Sequence, residues 1–164
     1  MKLATTRFGE LEIPEEHTYT LISPLPGFPA TKSFFFIQKE KIAPFQWMQS
    51  VEEGDLTFVV VEPEQFFHDY EPAVGGGELK ELGLGKVSEA KVFVIVVLPE
   101  DMTKMTANLK GPVLMNVEKR LMKQVFIESG KWGVRESIVE GIRKKEQAAI
   151  EKRIKEQQAT GQGE

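Results

Sequence analysis

The apolar positions of the chain fall into short runs rather than long periodic stretches. "LEI" at 11–13 alternates apolar and polar, "SFFFIQ" at 33–38 is aromatic-rich, and "LTFVVVE" at 56–62 is β-branched and ends at Pro63. "KVFVIVVLP" at 91–99 hardly alternates, which is the pattern of a strand buried on both faces. "PVLMNVE" at 112–118 and "KQVFIES" at 123–129 continue the series. Turn signals separate them at Pro26-Gly27, Glu53-Gly54-Asp55, Gly75-Gly76-Gly77 and Lys110-Gly111-Pro112. Short strands punctuated in this way predict a mainly β fold, a small antiparallel barrel-like domain over residues 1–132.

Two stretches break the pattern. "PEQFFHDYEP" at 63–72 reads as a short helix or extended loop, with Pro63 at a compatible first turn. "GELKELGL" at 77–84 places Leu79 and Leu82 at helical spacing, with Gly83 as a stop. From Gly133 onward "VRESIVEGIRKKEQAAIEKRIKEQQ" lacks Pro and is rich in helix formers, so 133–164 is expected to be a charged C-terminal α-helix with "ATGQGE" frayed behind it. Val134, Ile138 and Ile142 form one thin stripe and Ile150 and Ile154 another, while Glu140–Lys144 and Glu151–Lys155 are spaced as ion pairs. Such a helix packs lightly on the barrel or waits for a partner.

Composition narrows the class. At 164 residues the chain suits a single core, and 28% charged against 41% hydrophobic residues is globular rather than disordered. There are no cysteines, which excludes disulfides, thiolate metal sites and cysteine nucleophiles. A net charge of −4 argues against direct nucleic-acid binding. Residues 135–156 carry seven Lys/Arg and five Glu, a balance of +2, which leaves the rest of the chain at −6 and makes the β body the acidic part. The polar N-terminus has no signal-peptide pattern, and the longest apolar run, 92–98, is too short to span a bilayer.

Candidate chemistry is sparse. His17 and His68 are too few for a three-histidine metal site, and His68 and Asp69, being adjacent, point apart in extended chain. Gly75-Gly76-Gly77 is followed by Glu78, which would repel a phosphate. Carboxylates are plentiful, but their spacing selects no pair. A small-molecule-binding barrel or enzyme using carboxylates and His68 stays open as the alternative. Two segments instead have the composition of an interface core. "IAPFQWMQS" at 42–50 offers Phe45, Trp47 and Gln49, and "KMTANLKGPVLMN" at 104–116 offers Thr106, Asn108, Leu109, Pro112, Met115 and Asn116. These nine are the candidate partner-binding residues. Thr106 and Asn108 would hold a loop by side-chain to backbone bonds, and Leu109 and Met115 would supply apolar contact.

In order along the chain, "TTRFGELEI", "PLPGFP", "PFQWMQSVEEGDLTFVVVEP", "DYEP", "MTANLKGPVLMN" and "KQVFI" resemble the FliW family of flagellar assembly factors, over about residues 5–127. "PFxWxQS" followed by "TANLxxP" is specific as a combination. The resemblance implies a compact barrel-like β domain with no enzymatic activity and no cofactor. It implies a cytoplasmic protein that binds flagellin. It also implies binding to the translational repressor CsrA at a site other than the RNA site, with the two partners as alternatives. An acidic body suits approach to a basic RNA-binding protein. The motifs do not cover residues 135–164.

Overall fold

The computed structural model describes residues 1–128 and 130–159. Among these, eleven strands form: β1 (Lys2–Thr5), β2 (Gly9–Glu12), β3 (Tyr19–Leu21), β4 (Ser33–Gln38), β5 (Gln46–Ser50), β6 (Thr57–Val61), β7 (Lys91–Val97), β8 (Thr106–Ala107), β9 (Val113–Asn116), β10 (Leu121–Gln124) and β11 (Glu136–Ser137). Two α-helices accompany them, α1 (Gly76–Glu81) and α2 (Ile138–Ala159). The barrel is the ring β7-β6-β5-β4-β3-β10-β9, which closes because β9 pairs back to the first half of β7. Every pairing is antiparallel except β3 with β10, which is parallel. A ring with an odd number of strands cannot alternate direction all the way round, so one parallel neighbour is forced. The second half of β7 carries β8, and β8 carries β11.

Period-two alternation sorts the side chains. Phe34, Met48, Val60, Phe93, Val113, Met115 and Met122 point inward and fill the barrel, with Tyr19, Phe36, Phe58 and Ile95 packed against them. Outward residues are covered twice. Leu114 and Val92 lie under α1, where its Leu79 and the following Leu82 are buried. Val61, Val94, Val96 and Ala107 lie under Phe67, Trp132 and Ile138, where α2 begins. This explains why β7 reads apolar throughout: its inner face meets the barrel core and its outer face meets both covers.

The 77–84 reading holds. α1 ends at Glu81 and is stopped at Gly83, whose φ of 73° is the left-handed cap conformation, with Gly83 N–H bonded to Lys80 and Leu84 N–H to Leu79. Pro63–Gln65 forms a single 3-10 turn, as Pro63 suggested. "PFQWMQS", read as a surface patch, turns out to include the whole of β5. The β1–β2 hairpin stands outside the barrel and rests on the β5–β6 turn, where Thr6 N–H donates to Gly54. A Cβ on Gly54 would lie 2.1 Å from the Ala4 carbonyl oxygen, so that contact needs a glycine.

The C-terminal helix starts five residues later than expected, because Glu136–Ser137 pairs with β8 first. Its docked face is also different. Ile138 and Gly141 are buried, and the Lys145 ammonium donates to the Glu64 and Gln65 carbonyls at 2.9 Å. Val134, Ile142, Ile150 and Ile154 are exposed, so of the two expected stripes only Ile138 meets the barrel. Glu140 pairs with Arg143 rather than with Lys144. Of "ATGQGE", Ala159 is the last helical residue and 160–164 lie outside the described residues, as does Ser129.

Candidate protein-binding surface

The outer faces of four strands align one residue from each. Trp47 on β5 stands opposite Val59 on β6, Val59 opposite Val96 on β7, and Val96 opposite Ala107 on β8. At the Ala107 end the row is sealed by the start of α2, whose Ile138 N–H donates to the Met105 carbonyl at 3.1 Å. At the Trp47 end it stays open. There a groove of about 280 Å³ is lined by Ile42, Phe45, Trp47, Leu98, Met102 and Met105, with Lys41 at its edge.

The walls of this groove are held from behind. Phe45 stacks on Phe66 with ring centroids 5.5 Å apart. Trp47 meets Phe8 edge-on at 5.8 Å, and the Arg7 guanidinium lies 4.4 Å from its ring centroid. The hairpin thus pins the indole from one side, leaving it half-buried. The opposite wall is adaptable, since Met102 is 52% exposed and Leu98 43%. A rigid aromatic floor beside flexible methionine is suited to an apolar partner surface.

The nine candidate residues divide between this surface and its supports. Phe45 and Trp47 line the groove, and Thr106 is half-buried one strand beyond it, opposite Val97. Gln49 is fully buried beneath the hairpin; its amide donates to the Ser50 and Gly54 carbonyls and its oxygen accepts from Thr57. Asn108 braces its own loop, its oxygen accepting from the N–H groups of Lys110 and Gly111. Leu109 and Met115 are buried, so neither supplies outward apolar contact: Leu109 packs under α2 and Met115 inside the barrel. Pro112 is buried at the entry to β9. Asn116, on the opposite face of β9 from Met115, donates to the Leu82 carbonyl at 2.8 Å and accepts from Lys119 N–H. Ile42 lies inside "IAPFQWMQS" but was passed over for the aromatics, and Leu98 and Met102 escaped the sequence reading because they lie outside both segments.

The turn after β5 is similarly structural. Glu52 accepts from the Lys32 and Ser33 N–H groups and from the Ser33 hydroxyl, and Glu53 accepts from Thr31 at 2.6 Å. Partial burial works against ionisation of Glu52, but these hydrogen bonds outweigh it and its pKa is lowered. Tyr70 donates to the Leu109 carbonyl at 2.7 Å, and burial raises its pKa well above the ordinary phenol value.

His68 does line a cleft of about 200 Å³ together with Asp69, Glu136 and Glu140. Those carboxylates are already engaged. Asp69 pairs with Lys131 at 2.7 Å, which lowers its pKa, Glu136 accepts from Gly133 N–H, and Glu140 pairs with Arg143. Among the described residues no group of His, Asp and Glu is arranged to hold a metal ion. No helix among them is long and apolar enough to cross a membrane.

Fold and surface together define a class: a small closed β-barrel with a preformed apolar groove. The comparisons with known proteins agree. The FliW protein family profile matches residues 2–138. The flagellar assembly factor FliW of Leptospira interrogans is 37% identical over 141 residues, 85% of this chain and 94% of that protein. The flagellar assembly factor FliW of Alkaliphilus metalliredigens is 34% identical over 145 residues, 88% of this chain and 90% of that protein. A crystal structure of the flagellar assembly factor FliW superposes with a TM-score of 0.78 at 32% identity, covering 84% of this chain and 96% of that one. The chain belongs to the FliW family. The profile ends at Ile138, the residue that starts and pins α2, so the rest of that helix lies beyond the family match.

Proposed function

We propose that this protein serves flagellar assembly as a cytoplasmic binding protein without enzymatic activity, taking flagellin and the translational repressor CsrA as alternative partners. The observation that carries this reading is the apolar groove: Phe45 and Trp47 form its floor and Met102 and Met105 its adaptable wall. Large aromatics and methionine concentrate binding energy at interface centres. The acidic body supplies the complementary field for a basic repressor. CsrA is engaged away from its RNA site, so RNA and this protein weaken each other's binding by the same factor.

Isothermal calorimetry with purified CsrA and flagellin tests the proposal. Both bind, and flagellin displaces CsrA. Met102→Lys, at an exposed position, lowers affinity for at least one partner tenfold or more, roughly 1.4 kcal/mol, with an unchanged melting temperature. Binding to neither partner overturns the function. Unchanged affinity for both in Met102→Lys overturns the groove as the site.

A further inference from the structure

We propose that one mouth of the barrel is a binding site for a free α-amino acid carrying an aromatic or thioether side chain. The two ends of the barrel are built differently. At one end Leu25 and Phe28, from the "PLPGFP" turn, pack onto the barrel core, with Phe28 edge-on to Phe58 at 5.4 Å. Apolar side chains fill that end, as they fill the interior of small barrels generally. At the other end the inward parity runs on into polar residues. Gln38 follows Phe34 and Phe36 on β4, Gln46 precedes Met48 on β5, and Lys91 precedes Phe93 on β7. Gln38 and Gln46 stand directly opposite each other, and Lys91 stands opposite Met115. A cavity of about 400 Å³ opens here, of a size usual for small-ligand sites and at one of their usual places, the mouth of a β-barrel.

The cavity has an aromatic floor. Phe36 and Phe93 stack at 5.2 Å, Tyr19 meets Phe36 edge-on at 5.6 Å, and Met115 lies buried beside them. Its rim carries Gln38, Gln46, Lys91 and, from the 3-10 turn Glu15–His17, Glu16. Among the described residues, the Tyr19 hydroxyl, both glutamine side-chain amides and the Glu16 carboxylate find no partner within the chain. Lys91 has Glu62 at 3.9 Å, too long for a hydrogen bond, and the face of Phe93 at 5.3 Å. The cleft beside His68 is the contrast, since its carboxylates are all engaged. The rim is also tied down from outside. Arg120 takes a left-handed φ of 55°, uncommon for arginine. Its guanidinium donates to the Glu15 carbonyl at 2.8 Å and its own carbonyl accepts from Thr20 N–H at 2.9 Å, which fastens the Glu15–His17 turn to β3.

The charges select the ligand. Lys91 and Glu16 put one cation and one anion on the same rim. A purely cationic ligand meets Lys91, and a purely anionic one meets Glu16 with Glu62 close behind. A zwitterion gives its carboxylate to Lys91 and its ammonium to Glu16. The two amides and the Tyr19 hydroxyl supply donors and acceptors to either group. The side chain then meets Phe36, Phe93 and Met115, where a flat ring or a thioether packs well. This cavity shares no lining residue with the apolar groove, so the site is independent of the protein partners.

Isothermal calorimetry of the full chain with L-phenylalanine and L-methionine tests the proposal. The expected result is saturable binding of both below about 10 mM. Phenethylamine lacks the carboxylate, 3-phenylpropionate the ammonium and L-alanine the large side chain, and each binds about tenfold more weakly or worse. Glu16→Gln, at an exposed position, and Lys91→Met each weaken L-phenylalanine by a similar factor, with the melting temperature of Glu16→Gln unchanged. Amide NMR shifts on titration centre on Tyr19, Gln38, Gln46 and Phe93. No saturable binding of either amino acid up to about 10 mM overturns the proposal. So do analogues that bind as tightly as L-phenylalanine, unchanged affinity in either variant, and shifts centred on Trp47 and Met102, which place the ligand in the groove instead.

Discussion

Gly141→Ala sets two effects of known sign against each other. In an isolated helix, Ala in place of Gly stabilises by about 1 kcal/mol, because glycine loses more backbone freedom on ordering. In this protein the added Cβ would stand 2.6 Å from Cε1 and 2.9 Å from Cδ1 of Phe67, and 2.8 Å from the Phe66 carbonyl oxygen. The Phe67 ring is buried among Val61, Val94, Leu109 and Ile138, and the oxygen is main chain, so neither yields as a flexible side-chain tip would. Inserting one carbon into such packing costs about 1–3 kcal/mol. The expected balance is a net loss of about 1 kcal/mol, or a fall in melting temperature of roughly 2–4 °C for a chain of this size. Urea denaturation followed by tryptophan fluorescence reports it directly, because Trp132 lies in the same cluster and meets Phe67 edge-on at 6.2 Å. A synthetic α2 peptide with the same substitution gains helicity. If Gly141→Ala instead raises the stability of the whole protein by about 1 kcal/mol, propensity alone is acting and the close docking of α2 on Phe67 is refuted.

Gly54→Ala places a carbon 2.1 Å from the Ala4 oxygen, so the β1–β2 hairpin lifts and Trp47 loses Arg7 and Phe8; hydrogen exchange confined to residues 2–12 checks this. Tyr70→Phe leaves the Leu109 carbonyl without its side-chain donor and costs about 1–2 kcal/mol in urea denaturation. Asn108→Ala frees the N–H groups of Lys110 and Gly111, speeding their exchange before any change in partner affinity. The pKa of Glu52 is lowered from the ordinary 4.5, so its contribution is present above pH 4.5 and is lost as pH falls through the depressed value. The stability gap between wild type and Glu52→Gln is therefore widest at neutral pH and narrows once pH falls below 4.5, as urea midpoints measured across an acid pH series will show.

How much of this was legible in the sequence depends on the range of the interactions involved. The β6, β7 and β9 segments, α1 and its Gly83 stop, and the helical character of 138–159 follow from local periodicity and backbone preference, and all were readable. β5 was not, because Pro44 and the polar Gln46 and Gln49 mask its alternation; burial of Gln49 depends on the hairpin that lies over it. "MTANLKGPVLMN" marked a special segment correctly but could not say which way its residues point. Met115 and Asn116, adjacent in sequence, end on opposite sides of the barrel wall, and Leu109 is buried outside the barrel under a helix that begins 29 positions later.

By itself, then, the sequence determined the class of fold, the acidic body with its basic helix, the absence of cysteine chemistry and the family motifs. Only the tertiary structure decided which motif residues are surface and which are support. Closing seven strands into a ring fixes the inward or outward parity of every side chain at once. It also brings Ile42, Phe45, Trp47, Leu98, Met102 and Met105, from separate stretches of chain, to one groove. The same closure gave α2 its docking face through Ile138 and Gly141, and so left Val139, Ile142, Ile150 and Ile154 facing solvent. Parity and docking are long-range properties, set by contacts between residues that no local pattern connects.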